Sequence, residues 1–478
     1  MKLHGLIRVI DDEEMQQVHL AALDVLERTG MILRGRYLLE ALADAGCRVD
    51  FQSERVRFLP DLITNQIEKQ RDRYTMVRSS LWYPFCDSLP RDDAAWPDRF
   101  TVDYGFATPC IYDYPEGRFR TPTVEDQALM IRLGDSLEPV RAVCAPLICG
   151  DVDTRVEIIE SSRLLLLNTN KPGWVGTSDS REVKYLADLA HLATENLSDV
   201  DRTNMFHTRP PLFVHAYCTT SPLKLDTNPC MILQEALRYG FPVNFAPMPI
   251  LGGTTPVTPA GSLVIATAEL LGCLTAATLI APDVYCYGTV ITGEMDMKTT
   301  QVCYSVVNVE PAYLEAKCPG IQAAFMKTYR QMALASMVSA SLPIGLLDNG
   351  SVFSPVQAMI DLDMNEAQYR LSRGLKIDDD TLSTDLINSM AFCEHEAYLQ
   401  TEHTLKFFRS TVWDTKLFDR DYRRDEYLSS DDADERILRR ADEQWRRLVS
   451  SHDQPHRDKV FLKELDRIVS SARVELLT

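Results

Sequence analysis

Apolar and polar positions alternate in two different ways along this chain. Through the first ninety or so residues the spacing is helical, with a short β interruption. Asp11 can cap a helix with Glu14 three positions on, and Val18, Ala22, Val25 and Leu26 then form an apolar stripe up to a stop at Gly30. A second helix runs through Leu38, Leu39 and Leu42 to Gly46. "CRVDFQSERVRF" alternates about a polar turn, which predicts a hairpin, and Pro60 opens a helix through Leu62, Ile63 and Ile67. This predicts an N-terminal helical and small-β region over residues 1–95.

From about residue 100 short β-rich runs alternate with helical segments. The strands read from the pattern are "YGFATPCIY", "VRAVCAPLIC", "RLLLLNT", "LFVHAYC", "FPVNFAP", "DVYCYGTV" and "LPIGLLDN", with "VCYSVVN" either an eighth or part of a long loop. Helices are expected over 181–197, 229–239, 259–280 and 310–338. Strand then helix, repeated, implies right-handed parallel units. That many units over this length favours an α/β fold, a (β/α)8 TIM barrel across 96–410, over the alternative of a doubly wound open sheet. Beyond about Asp380 the chain is helical and more charged, and "LSSDDADERILRRADEQWRRLVSSHDQ" reads as a surface helix in a C-terminal arm, 411–478.

The most apolar segment follows an unusual loop, "ILGGTTPVTPAGSLVIATAELLG", Ile250 to Gly272. Its length approaches a membrane span, but Glu269 would lie mid-bilayer, at a cost of about 2.5–3.5 kcal/mol, and no Lys or Arg flanks it. A buried helix in a large soluble fold is expected instead. The 478 residues are 45% hydrophobic and 25% charged, ordinary for a large core. A net charge of −19 argues against nucleic-acid binding. The N-terminus turns acidic before any signal-peptide core develops, and the twelve cysteines contain no CxxC, so reduced thiols in a cytoplasmic protein are expected.

In a parallel barrel, chemistry sits at the C-terminal ends of strands. Those ends carry Tyr104, Phe106, Lys171, Trp174, His215, Phe245, Tyr287, Asp348, Asn349 and Phe353. Aromatics dominate and charges are few. Single aromatics there can simply cap a core. Several together suit a cation, whose attraction to each ring face is about 0.5–2 kcal/mol. "GGTTPVTPAG" lacks the order of a phosphate-binding loop, and GxGxxG, GxSxG and HExxH are absent. His395 and His403 are eight residues apart and do not make a metal pair, so no bound metal is expected.

Several pieces together resemble the trimethylamine methyltransferase family, in particular its branch without pyrrolysine, such as glycine betaine methyltransferases. They are "ALDVLERTGM", "LADAGCRVD", "RVRFLP", "NTNKPGW", "TTSPLKLD", the glycine–threonine loop with its Ala-Glu helix, and "EHTLKFFRSTVWDTKLFDRD". The resemblance implies a (β/α)8 barrel that moves a methyl group from a betaine-like quaternary amine to the cobalt of a corrinoid on a separate cognate protein. It implies that Gly252, Gly253, Thr254 and Thr255 form a loop approached by the corrinoid ring, with the 259–280 helix behind it and Glu269 bonded internally. A tight structural turn is the other reading of that loop. The aromatics Tyr104, Phe106, Trp174, Phe245, Tyr287 and Phe353 would hold the cation, and His215, Lys171 or Asn349 a carboxylate or hydroxyl of the substrate. "LLDNGSVFSPVQAMID" departs from the family, which usually has an acidic residue before the glutamine. Two other classes stay open: a barrel lyase or aldolase, for which Lys171 is the only Schiff-base candidate, and a quaternary-amine binder without turnover. Homo-oligomerisation is left undecided.

Overall fold

The computed structural model describes residues 10–78, 101–195, 212–215, 219–304, 313–337, 341–372, 376–391, 397–420 and 433–478, except positions 141, 289 and 412. The N-terminal elements form as the pattern predicts. Asp11 accepts from the Glu14 backbone N–H at 2.8 Å and its own N–H donates to Glu14 Oε2 at 2.9 Å, which starts the helix Asp12–Arg28. Arg48–Asp50 and Arg55–Arg57 make the expected hairpin, Met31–Leu33 pairs with Arg55–Arg57, and Lys224–Leu225 pairs with the far side of Met31–Leu33. Pro60–Arg78 is the third helix.

The Pro259–Ile280 helix lies at the centre of this half of the molecule, with the helices Asp12–Arg28, Arg36–Asp44 and Pro60–Arg78 packed on it. It is long and apolar enough to cross a membrane, yet half of its most apolar window is buried against protein. Gly272 lets the neighbours close in: a Cβ there would meet Met31 Sδ at 2.3 Å and Leu26 Cδ2 at 3.1 Å.

Parallel strands alternate with helices, as expected of an α/β fold. Ser341–Pro343 pairs with Thr101–Asp103, and the strand continuing from there bridges to Val140 and Leu147. The Val143 and Ala145 N–H groups donate to Pro172 O and Trp174 O, and Gly173–Gly176 pairs in turn with Leu212–His215. Val243–Phe245 pairs with Cys286–Gly288, extended by Ile250–Leu251 with Gly293–Met295. The last strand thus returns beside the first. Among the described residues no pairing joins Cys286–Gly288 to Ser341–Pro343, so closure into an eight-stranded ring is not seen.

Several expected elements differ. "RLLLLNT" is the end of the helix Glu157–Asn168, buried on nearly every side, and the strand is Gly173–Gly176. A short continuous apolar run has the same pattern in a buried helix and a buried strand. "YGFATPCIY" is a strand only at its margins: φ is +91° at Gly105 and +52° at Ala107, and Cys110–Asp113 folds back as a hairpin with Arg118–Arg120. The 310–338 helix starts later, at Ile321, after the break at Pro319–Gly320. "VCYSVVN" contributes Val302–Cys303, antiparallel to Gly293–Met295, and its residues from Ser305 lie outside the described residues. The helix Ala433–Ser450 is not simply a surface helix. It buries Ala441 and Trp445 while packing on Pro355–Ser372 and Val124–Ser136.

Candidate functional site

Two predicted aromatics meet. Phe106 follows the strand Thr101–Asp103, where the two positive-φ residues turn its backbone, and Trp174 lies within Gly173–Gly176 rather than after a strand. Their rings meet edge to face with centroids 6.3 Å apart. Phe106 also packs edge-on against Tyr313 at 5.8 Å, and Tyr313 against Tyr304 at 5.1 Å. Tyr304 lies over Gly293, whose Cβ would fall 3.2 Å from its ring. These four rings form a band from one strand, past the next, to the loop beside a third.

A buried clamp holds the backbone at the two tyrosines. Arg330, on the helix Ile321–Met337, is fully buried and donates to the carbonyls of Tyr304 and Tyr313. Its guanidinium is 3.7 Å from Glu315, whose other oxygen accepts from the Tyr304 N–H at 2.7 Å. The Asn349 N–H donates to Leu314 O at 2.7 Å, which puts Asn349 beside the same loop. Its Oδ1 is buried and has no hydrogen-bond partner among the described residues, and Asn349 itself has φ +56°. Neighbouring Asp348 pairs with Lys317 at 3.3 Å.

The remaining predicted residues are elsewhere. Tyr104 is fully enclosed, donates to Met130 O at 2.6 Å and packs on Gly134, on the helix side of its strand; burial holds its phenol well above the usual range. Phe353 is buried against Tyr104 at 5.6 Å. Phe245 is in register with Gly288, whose missing Cβ faces Leu270, so Phe245 also belongs to the packing between strand and helix. These three are core residues, because neighbouring positions of a strand face opposite sides. Tyr287 stacks on Tyr285 at 5.4 Å. Lys171 precedes its strand and lies at the opposite end from the band. Its Nζ donates to the carbonyls of Gly134, Asp135 and Leu137 at 2.7–3.1 Å, and burial pulls it down to about 8. It caps a helix C-terminus and is not placed to form a Schiff base in the band. His215 pairs in register with Gly176, and its side chain lies outside the described residues.

The glycine–threonine loop is a compact turn at the C-terminal end of its strand. The N–H groups of Gly253, Thr254 and Thr255 all point to Ile250 O, Thr254 Oγ1 accepts from Ile250 N–H at 3.0 Å, and Thr255 Oγ1 donates to Ile250 O at 3.2 Å. The threonines therefore hold the turn together. Val257 and Met297, each 65% exposed, form an apolar rim next to it. Glu269 is bonded internally as expected: it accepts from Thr219 and Ser221 hydroxyls and from the Leu223 N–H at 2.7 Å. Burial raises its pKa, and those bonds oppose the rise.

Among the described residues no group of three or more His, Cys, Asp or Glu could hold a metal ion. His403 Nε2 lies 2.6 Å from Ser383 Oγ, and His395 lies outside the described residues. The sequence reading missed Tyr304, Tyr313, Glu315 and Arg330. Their only local signal was Tyr-rich sequence on either side of an ambiguous strand; the clamp joins positions with no periodic relation.

The sequence model of one family, described as trimethylamine methyltransferase (MTTB), matches residues 3–304 and 310–476. The trimethylamine methyltransferase MttB of Desulfitobacterium hafniense is 26% identical over 439 residues, 86% of this chain and 84% of that protein. MttB1 of Methanosarcina mazei is 24% identical over 408 residues, 80% of each chain. The crystal structure of the Methanosarcina barkeri monomethylamine methyltransferase MtmB aligns over 98% of this chain and 94% of that one at 11% identity, with a TM-score of 0.37. At that score the likeness carries no weight for the fold.

Proposed function

This chain belongs to the trimethylamine methyltransferase family, and from that premise we propose that it demethylates a quaternary amine, with the methyl group passing to a corrinoid carried by a separate protein. The observation that carries the reading is the band of Phe106, Trp174, Tyr304 and Tyr313. Ring faces attract a quaternary ammonium by about 0.5–2 kcal/mol each, and a permanently charged substrate gives them something to bind at every pH. A quaternary ammonium has no N–H to donate, so ring faces suit it better than hydrogen-bond acceptors do. Asn349 Oδ1, beside Leu314, could accept from a donor group of the substrate.

The glycine–threonine turn fits an approaching flat ring. It presents small side chains, its threonines are already bonded inward, and Val257 and Met297 add an apolar margin. The corrinoid cobalt, when delivered, supplies the nucleophile. The chain's own residues orient one N-methyl group, exclude water and hold the loop through Arg330 and Glu315. We also take the parallel strands to complete a (β/α)8 barrel over 96–410, flanked by the 1–95 and 411–478 regions.

Substrate charge separates this branch from one that uses an activating residue. A quaternary ammonium leaves as a neutral tertiary amine and requires no general acid. A free tertiary amine would leave as an amide anion unless first protonated or captured. Every position here carries a standard amino acid, and of the acids beside the band Asp348 is paired with Lys317 and Glu315 lies against Arg330. The test is the growth of methylcob(III)alamin absorbance under anaerobic conditions with a series of betaines and with trimethylamine. Turnover is expected from at least one quaternary amine and none above background from trimethylamine. Robust turnover of trimethylamine with the betaines inert would overturn the substrate class, and amine binding without any methylcobalamin would leave only a binding protein.

A further inference from the structure

A glycine within a strand weakens it, having no side chain to pack and more freedom to lose, and it often marks a place where something comes close to the backbone. Gly173, Gly288 and Gly293 each have such a neighbour. A Cβ at Gly173 would fall 2.1 Å from Val143 O, one at Gly288 2.2 Å from Leu270 Cδ1, and one at Gly293 2.9 Å from Val302 Cγ1. Gly176 is different. A Cβ there would meet nothing within 4 Å among the described residues, and its φ lies outside the left-handed region, so the backbone does not call for glycine either.

Gly176 ends the strand Gly173–Gly176, and alternation puts it on the same side as Trp174. Gly173 faces the helix Glu157–Asn168, where Leu165 Cδ1 would lie 3.8 Å from its Cβ. Trp174 and Gly176 therefore face the other way, the side of the ring band. At ~3.3 Å per residue, the open position is ~6.6 Å beyond Trp174, toward the C-terminal end of the strand. Val175 and Thr177 on either side are buried, so the opening is confined to this one position. The turn that follows is tied down. Glu182, fully buried, accepts from the Thr177 hydroxyl and from the N–H groups of Ser178 and Asp179 at 3.2 and 3.3 Å. The space is a fixed recess in the strand wall rather than slack in a loop.

We propose that Gly176 determines which amine is accepted: the recess takes the one substituent on the quaternary nitrogen that is longer than a methyl group. This rests on the amine reading of the ring band. A Cβ is itself the size of a methyl group, and in the recess it would touch nothing, so the space is wider than an N-methyl group fills. The methyl groups lie against the rings, and the longer arm runs along the wall past Trp174. Tetramethylammonium fills only the first of these places. The substrate class is thus a trimethylammonium compound with one extended arm. The recess is a single residue wide, which suits an arm of the amine and not the broad plate of a corrin ring.

Calorimetric titration of the full chain with tetramethylammonium, choline and glycine betaine tests this, together with thermal unfolding. The wild type should bind at least one of the two armed amines more tightly than tetramethylammonium. Gly176→Val should weaken that armed amine on the order of 10-fold and leave tetramethylammonium within about twofold, because the valine fills the recess and not the ring faces. Gly176→Ala should melt at the same or a higher temperature, since a methyl group in open space displaces nothing and restricts the unfolded chain. A wild type that prefers tetramethylammonium, a Gly176→Val chain that loses both kinds of cation equally or neither, or a lower melting temperature in Gly176→Ala would each overturn the proposal. A wild type that binds none of the three cations would overturn the amine reading itself, and this inference with it.

Discussion

Lys171 and Trp174 are three positions apart, and their side chains have unlike surroundings. Trp174 belongs to the ring band, while Lys171 neutralises three carbonyls at a helix end. Trp174→Leu should weaken quaternary-ammonium binding by about 0.5–2 kcal/mol, and because the indole is buried it should also cost about 1–3 kcal/mol of stability. Lys171→Met should leave that affinity alone and cost about 1–3 kcal/mol of stability, because buried acceptors lose their donor. Calorimetric titration of each variant, paired with urea unfolding, checks both; the reverse pattern would remove Trp174 from the site. The residue type was legible in the sequence, the side it faces was not. Phe106, Trp174, Tyr104, Phe245 and Phe353 were all named for their positions near strand ends; the rings of the first two meet, and the other three pack outward. Without knowing where Gly105 and Ala107 turn the backbone, the alternation cannot be phased.

At the level of elements, the helix Pro259–Ile280 was legible to its ends, because Pro259 opens it and its apolar run has the length of one buried helix. Its single carboxylate organises the neighbouring chain. Glu269 gathers donors from Thr219, Ser221 and Leu223, so Glu269→Ala should cost about 1–3 kcal/mol for each buried donor it orphans. Glu269→Gln tests the charge. Burial raises the folded pKa above the unfolded value near 4.5, so over that interval the native state holds more protons and this group's contribution falls as pH rises. The stability gap between wild type and Glu269→Gln should therefore shrink with rising pH from about 4.5 upward. A gap that widens instead would mean that the hydrogen bonds outweigh burial. "RLLLLNT" failed where this helix succeeded. Four leucines in a row carry no period, and only Ile158, Ile159 and the rest of the helix before them decide the case.

For the whole molecule, the alternation of strand and helix was legible because each unit repeats the same change of period. The pairing of the last strand with the first needed the coordinates, and so did the clamp on Tyr304 and Tyr313, which joins residues far apart in sequence. The orientation of the Ile321–Met337 helix was not legible either. "IQAAFMKTYRQMALASM" has an apolar and a polar stripe, and the ordinary rule would turn the apolar one inward. Buried partners for Lys327 and Arg330 reverse it. That reversal makes the helix a lever. Its inner side grips the backbone of two rings that would hold the amine. An amine that binds only the gripped form must stabilise that form in return, by an amount set by its concentration over its dissociation constant. Melting temperatures measured with and without saturating amine should show a rise in the wild type and a smaller one in Arg330→Met.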